Sequence, residues 1–398
     1  MVEVAPMVIG EFNESFLPVM DGVGNAIKNY CYWLTKMGHE CYVATSEYPG
    51  YTDNEIFEVI RCKSVSVPTR KPYRVSLPSL DYDFRKQIRR IPFDIIHAHC
   101  PFNMGSYALK VGKESGVPVC ATFHSKFYDD FKAGFKSRFI SRIMLRSVVS
   151  FFESVDFVFA VNEPTIMVLR EYGFKGNVEV LENACEYYPV IDVSPLKIEF
   201  NQKYGIGEDE IVLLFVGQHV KVKNIKLILK SCAILKNSGL RFKLFTAGEG
   251  ADLAELKSMA SALGISDRTH FLGRVQDRHE LQNIYARANL FLFPSTYDTA
   301  GIVIMEAAAV KCPSLVISGT NASVGIRNGY NGFLGPASAA GFAERILEIL
   351  KHPENLVTAG ENAQKTLSVH WKTRMEQVCA KYEEIIEKYK KSSQVKLP

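Results

Sequence analysis

The run Leu290-Phe291-Leu292-Phe293 contains no polar residue and stops at Pro294 and Ser295, so it reads as a strand covered on both faces, the kind that parallel sheets are built from. A parallel strand needs a crossover. Met305 to Val310, made of good helix formers with nothing to break the turn, supplies a helix soon after it. The loop between them carries Asp298 and Gly301, and Glu306 follows the aspartate after seven intervening residues. Such a loop points backbone N–H groups and the positive end of a helix dipole, about half an elementary charge, toward the carboxyl end of the sheet. That is a place for a phosphate. Carboxylates beside it repel an anion, so Asp298 and Glu306 read as acceptors for hydroxyl groups. A phosphate flanked by hydroxyls describes a nucleotide-sugar.

The same alternation runs through the chain. Pro6 to Phe12, Cys41 to Thr45, Asp94 to His99, Pro118 to Phe123, Asp156 to Asn162 and Val178 to Leu181 form a first series of strands. Between the first two, Val23 to Met37 reads as a helix with Ile27, Tyr30, Cys31 and Leu34 on its core face. A second series follows: Ile211 to Val216, Phe242 to Ala247, His270 to Gly273, Leu290 to Phe293 and Ser314 to Ile317, then a short strand at Phe333-Leu334 after the Asn331-Gly332 turn. Strands alternating with helices predict an α/β fold of parallel, doubly wound sheets. Periodicity pauses between residues 185 and 205, which divides the chain into domains at 1–190 and 191–370, with a terminal helix and Lys-rich tail over 371–398. In open parallel sheets ligands bind beyond the carboxyl ends of the strands, so Gly217, Gly250, Gly273, Asp298 and Gly319 are expected to converge. Gly22 and Gly24, at the start of the first helix, suit either close approach of a diphosphate or a packing turn.

The acid, seven residues and Glu306, set between a Phe-Pro-Ser strand end and an Ala-rich helix and joined by Gly301-Ile302-Val303, Glu306-Ala307 and Pro313, resemble the signature of the retaining family-four glycosyltransferases. The resemblance implies a GT-B fold, two Rossmann-like domains facing a central cleft. It also implies sugar transfer from a nucleotide-sugar to a glycan or lipid-linked acceptor, with retention and without a metal. On that reading Asp298 holds donor-sugar hydroxyls, Glu306 takes the ribose hydroxyls, and Lys223, Gly217, Gly22 and the Gly301, Ile302 and Val303 amides surround the diphosphate. His124, closing the strand Pro118 to Phe123, is the match to the family histidine that contacts the donor sugar; a satisfied histidine at a sheet end is the alternative. His97 and His99 sit inside a strand pattern and read as structural. The chain departs from the pattern at Gln218, where an Arg is usual, at Asp298 in place of Glu, at Ala300 in place of an aromatic, and near Val324, where an acid is common. Those departures leave room for a catalytically silent GT-B protein that binds nucleotide or a partner transferase.

A formal charge of +4 on 398 residues does not imply a nucleic-acid partner. Nine scattered cysteines with no Cys-x-x-Cys pair read as reduced, buried thiols, and no stretch has the roughly twenty apolar residues of a membrane span. The expected location is cytoplasmic. Residues 131–152 form a basic amphipathic helix, with Lys132, Lys136, Arg138, Arg142 and Arg146 on one face and Ile140, Met144, Leu145, Val148, Phe151 and Phe152 on the other. Both peripheral contact with the inner membrane surface and cover for the domain's own sheet fit that pattern. No cofactor or metal site is expected; Asp81-Tyr82-Asp83 has the spacing of a metal-binding pair but opens a helix and reads as a solvated cap.

Overall fold

The computed structural model describes residues 5–19, 21–67, 71–124, 127–128, 138–296, 298 and 301–394. The chain forms two compact units, Met1–Asn183 together with Trp371–Pro398, and Ala184–His370.

The first unit opens with β1 (Val8–Phe12), α1 (Gly22–Lys36), β2 (Glu40–Ser46) and β3 (Glu58–Cys62). A small antiparallel hairpin, β4 (Ser64–Ser66) and β5 (Arg74–Ser76), precedes α2 (Tyr82–Ile88), β6 (Ile95–Ala98), α3 (Asn103–Ser115), β7 (Val119–Phe123), α4 (Arg138–Ser154), β8 (Phe157–Ala160), α5 (Glu163–Glu171) and β9 (Glu179–Val180). Seven strands pair in the order β3-β2-β1-β6-β7-β8-β9, and every pairing is parallel. The chain winds outward from β1 through β3 and then returns to the other side of β1 with β6. The ends of β1 and β6 therefore flank the point where the winding reverses, the crevice that open α/β sheets use for ligands.

The second unit repeats the plan with α6 (Ser194–Tyr204), β10 (Ile211–Val216), α7 (Ile225–Asn237), β11 (Phe242–Ala247), α8 (Leu253–Ala262), β12 (Thr269–Gly273), α9 (Arg278–Arg287), β13 (Leu290–Phe293), α10 (Ile302–Ala309), β14 (Ser314–Ile317), β15 (Phe333–Gly335), α11 (Ala339–Leu350) and α12 (Pro353–Leu367). Its sheet runs β12-β11-β10-β13-β14-β15, again parallel throughout, and reverses between β10 and β13. Phe215, Phe245 and Phe291 are fully buried, as expected of strands covered on both faces.

Three expectations change. Residues 184–190 belong with the second unit: Cys185 bridges His370, its N–H reaches Val369 O at 2.9 Å, and Val190 N–H reaches Ala309 O at 2.9 Å. Asp81 does cap α2, accepting from Phe84 N at 3.2 Å and Lys63 N at 2.9 Å, but it is buried, not solvated. The last helix, α13 (Trp371–Gln394), takes in most of the Lys-rich stretch expected as a tail. It belongs to the first unit because Trp371, Met375 and Tyr382 are fully buried there, Trp371 edge-on to Tyr30 at 5.7 Å. Burying an aromatic side chain of that size contributes about 2–3 kcal/mol.

Candidate active site

Loop geometry in the second unit follows from glycine. Gly217 leaves β10 at φ +149°, a conformation that L side chains rarely adopt, and its N–H bonds Ala247 O at 3.0 Å. A Cβ on Gly250 would lie 2.4 Å from His219 O, so the loop after β11 can press onto the loop after β10 only with glycine there. Gly248 N–H in turn reaches Gly273 O at 2.7 Å, which brings three of the five expected glycine and acid positions into one bonded patch; Gly319 stands further out, after β14. On the other side of the reversal point, Ser295 Oγ donates to Val222 O at 3.3 Å.

There Lys223 and Asp298 meet. Lys223 ends a single 3₁₀ turn, its ammonium bonds Asp298 Oδ1, and it lies 5.4 Å from the Phe293 ring centroid. The second carboxylate oxygen, Asp298 Oδ2, is buried and has no hydrogen-bond partner among the described residues. A buried carboxylate oxygen without a donor is costly, and a ligand hydroxyl would satisfy it. Gly301 precedes α10 and gives it no side-chain cap, so the N–H groups of Ile302 and Val303 have no acceptor within the helix. Tyr297, Thr299 and Ala300 lie outside the described residues.

Glu306, one turn into α10, is buried and engaged at both oxygens. Arg278 Nη2 donates to Oε1 at 2.5 Å and Tyr285 OH to Oε2 at 2.9 Å. Burial pushes its pKa above the usual carboxylate range, and the Arg278 guanidinium opposes that shift. Arg278 also pairs with Glu186 at 2.8 Å and lies 4.9 Å over the Tyr187 ring. Each carboxylate oxygen retains a lone pair for a further donor such as a sugar hydroxyl. None of Arg278, Tyr285, Glu186 and Tyr187 was singled out in the sequence. A faint signal existed, since Arg278 and Tyr285 stand seven apart and so share a face of α9.

In the first unit His124 follows β7, nearly buried. Its Nε2 lies 3.0 Å from His99 Nδ1, and His99 Nε2 lies 2.6 Å from Glu11 Oε2. Beyond Glu11 the chain of bonds continues through Tyr382 OH (3.1 Å from Oε1) to His97 Nδ1 (2.6 Å) and from His97 Nε2 to Thr122 Oγ1 (2.7 Å). Burial lowers the pKa of all three imidazoles, that of His99 to about 3, and pushes the Glu11 carboxyl up to about 8, opposed by the Tyr382 hydroxyl. The cluster is thus neutral at pH 7. Glu11, His97 and His99 bring ligand-type atoms within 4.8 Å of one another, but both nitrogens of each of these imidazoles already have a protein partner, so the group reads as a hydrogen-bonded chain and not as a metal site. Gly22 is exposed at the start of α1, and a Cβ there would meet nothing within 4 Å. Packing does not explain that glycine; capping by Asp21, which accepts from Gly24 N at 2.7 Å, leaves its backbone open.

Residues 20–186 match the Glycosyltransferase Family 4 profile and residues 197–366 match Glycosyl transferases group 1. The chain belongs to the family-four glycosyltransferases. This glycosyltransferase is similar to the alpha-monoglucosyldiacylglycerol synthases of Streptococcus pneumoniae (28% identical, covering 77% of this chain and 70% of that one) and Acholeplasma laidlawii (24%, covering 90% and 92%). Its fold is shared with Anabaena HepE solved with UDP-glucose (TM-score 0.75, 17% identical, covering 95% and 100%). The enzyme is therefore a nucleotide-sugar-dependent transferase on the GT-B fold, of the retaining class.

Gln218, where the family pattern has an arginine, is exposed, and so is Lys221. In α4, Ile140 is not on the covered face: Phe139, Ile140 and Ile143 are exposed at 73%, 42% and 49% beside Arg142 and Arg146. Lys132 and Lys136 lie outside the described residues, and no helix among the described residues is long and apolar enough to cross a membrane.

Proposed function

We propose that this enzyme transfers a hexosyl group, with retention and without a metal, from a nucleoside-diphosphate sugar to a hydroxyl of a glycolipid or glycan acceptor at a membrane surface. The observation that carries the reading is Asp298, shortly before the uncapped start of α10, whose one oxygen is held by Lys223 while the other is buried and has no donor among the described residues. In the reaction the acceptor hydroxyl attacks the anomeric carbon, the bond to the diphosphate breaks, and the hydroxyl proton leaves with the departing diphosphate. Lys223, the amides of Gly301, Ile302 and Val303, the Gly217 turn and the open backbone at Gly22 take up the negative charge that develops there. Asp298 accepts from the sugar hydroxyls as positive charge grows at the anomeric carbon, Glu306 accepts from the ribose, and His124 is a hydrogen-bond partner of the transferred sugar. The exposed mix of arginines with Phe139 and Ile143 on α4 fits the interface of an anionic bilayer.

The test is the melting temperature against UDP-, GDP- and ADP-sugars, followed by release of nucleoside diphosphate in the presence of diacylglycerol-containing anionic vesicles. Ligand at a hundred times its dissociation constant stabilises by about 2.7 kcal/mol, which moves the transition by several degrees. A shift with one base, and diphosphate release that depends on acceptor, is the expected result. No shift with any nucleotide-sugar would defeat the reading and favour a silent binding protein.

A further inference from the structure

We propose that Glu11 and His99 form a positioning relay that holds His124 in a single tautomer, with the proton on Nδ1, so that it meets its ligand as a hydrogen-bond donor. The proposal rests on the reading that His124 contacts the transferred sugar. The geometry is a line of six groups, Thr122, His97, Tyr382, Glu11, His99 and His124, each within 3.1 Å of the next. They come from β6 and the loop after it, from β7 and its end, from β1 and from α13, and all lie in one compact unit. The side chains of Glu11, His97 and His99 have almost no contact with solvent, so water cannot break the line at these points.

Each imidazole, when neutral, donates at one nitrogen and accepts at the other, so the direction of the bonds at Glu11 fixes the tautomers of His99 and His124 in turn. The two contacts of Glu11 decide the direction. Oε2 lies 2.6 Å from the His99 nitrogen, whereas Oε1 lies 3.1 Å from the Tyr382 hydroxyl. A carboxyl O–H donates over the shorter of such distances, and its carbonyl oxygen accepts over the longer. The proton therefore sits on Oε2 and is donated to His99 Nε2. His99 then donates from Nδ1 to His124 Nε2, and His124 is left with its proton on Nδ1. On the other side Thr122 donates to His97, His97 to Tyr382, and Tyr382 to Glu11 Oε1. Nothing charged is required: among the described residues the groups bonded to the Glu11 carboxyl are an imidazole and a phenol, and burial already favours its neutral form. A free histidine would not choose this tautomer by itself, so the arrangement is a constraint that the fold imposes.

The measurement is the nitrogen-15 spectrum of the full-length protein labelled at histidine, with His124→Gln used to assign the ring. A protonated ring nitrogen and a bare one differ widely in shift. His124 is expected to be bare at Nε2 and protonated at Nδ1. In Glu11→Leu the ring should lose that single pattern, and kcat should fall on the order of tenfold, the worth of one misdirected hydrogen bond, with little change in donor KM. Glu11→Gln, whose amide N–H and carbonyl can stand where Oε2–H and Oε1 stand, should restore both the pattern and most of the lost turnover. A wild-type His124 protonated at Nε2 overturns the relay, whether or not Glu11→Leu folds; so does a Glu11→Leu spectrum with the His124 pattern unchanged. Full turnover in His124→Ala with the wild-type ring pattern in place would instead remove the sugar-contacting role of His124 and leave the relay standing.

Discussion

The polar groups at the two sheet ends are handled in opposite ways. At the end of β1, β6 and β7 they are neutral, buried and bonded to one another in a closed line from Thr122 to His124. At the end of β10 and β13 they are charged, Lys223 against Asp298 and Arg278 against Glu306, with one carboxylate oxygen left without a partner among the described residues. A closed neutral line costs little to bury and has one geometry. An ion pair with a spare acceptor costs more and is ready to exchange partners. The first arrangement suits orientation, and the second suits binding an anion and its hydroxyls.

That contrast breaks most severely at Asp298. Asp298→Ala should lower kcat/KM on the order of a hundredfold or more at a small cost in melting temperature, since it removes one ion pair, to Lys223, and an oxygen with no partner among the described residues; a folded variant of full activity would place the donor site elsewhere. Glu306→Ala tests the same side with a mixed outcome: weaker nucleotide binding by titration calorimetry, on the order of tenfold, together with about 1 kcal/mol of lost stability, because Tyr285 and the half-exposed Arg278 lose their acceptor. Equal nucleotide affinity in Glu306→Ala would mean that the carboxylate only braces Arg278.

The smallest effect is the one that sharpens the neutral side. The Glu11 carboxyl is pushed up to about 8 from 4.5, so the folded state holds a proton that the unfolded chain gives up. Its contribution to stability therefore falls as pH rises from 4.5 to 8. His99, lowered to about 3 from 6.5, acts in the opposite sense, gaining stability as pH rises, but only below 6.5. Between pH 6.5 and 8 the melting temperature should thus decline more steeply in the parent than in Glu11→Gln. Parallel curves would show that Glu11 is ionised in the fold.

Much of this was legible before any coordinates. Leu290 to Phe293 and Ile211 to Val216 announced buried strands, and strand ends pointed to Asp298 and Gly217, because topology alone carries those residues to one edge, whereas Lys223 came from the family resemblance. Glu11 was overlooked although it is the one charged residue within the buried run Val8–Phe12, a cost that the fold accepts only with partners in place. Its partner Tyr382 lies 371 residues away on α13, a separation that no local pattern encodes. Arg278 was missed for a related reason: it opens a polar helix of ordinary appearance, and its role comes from Glu306 and Tyr187, brought to it by the sheet. The boundary was set at 190 on the pause in periodicity, whereas the bridge from Cys185 to His370 ties the preceding segment to the second unit.

That bridge bears on how the molecule is made. The second unit is an insertion, entered at Ala184 and left at His370, with its two ends bonded side by side. The first unit, begun before the second on the ribosome, leaves the places of Trp371, Met375 and Tyr382 open in its interior until α13 has been translated. Synthesis order and completion order are therefore reversed. The half that emerges first is finished last, and a nascent chain stopped before Trp371 carries a complete second unit and an unfilled first one.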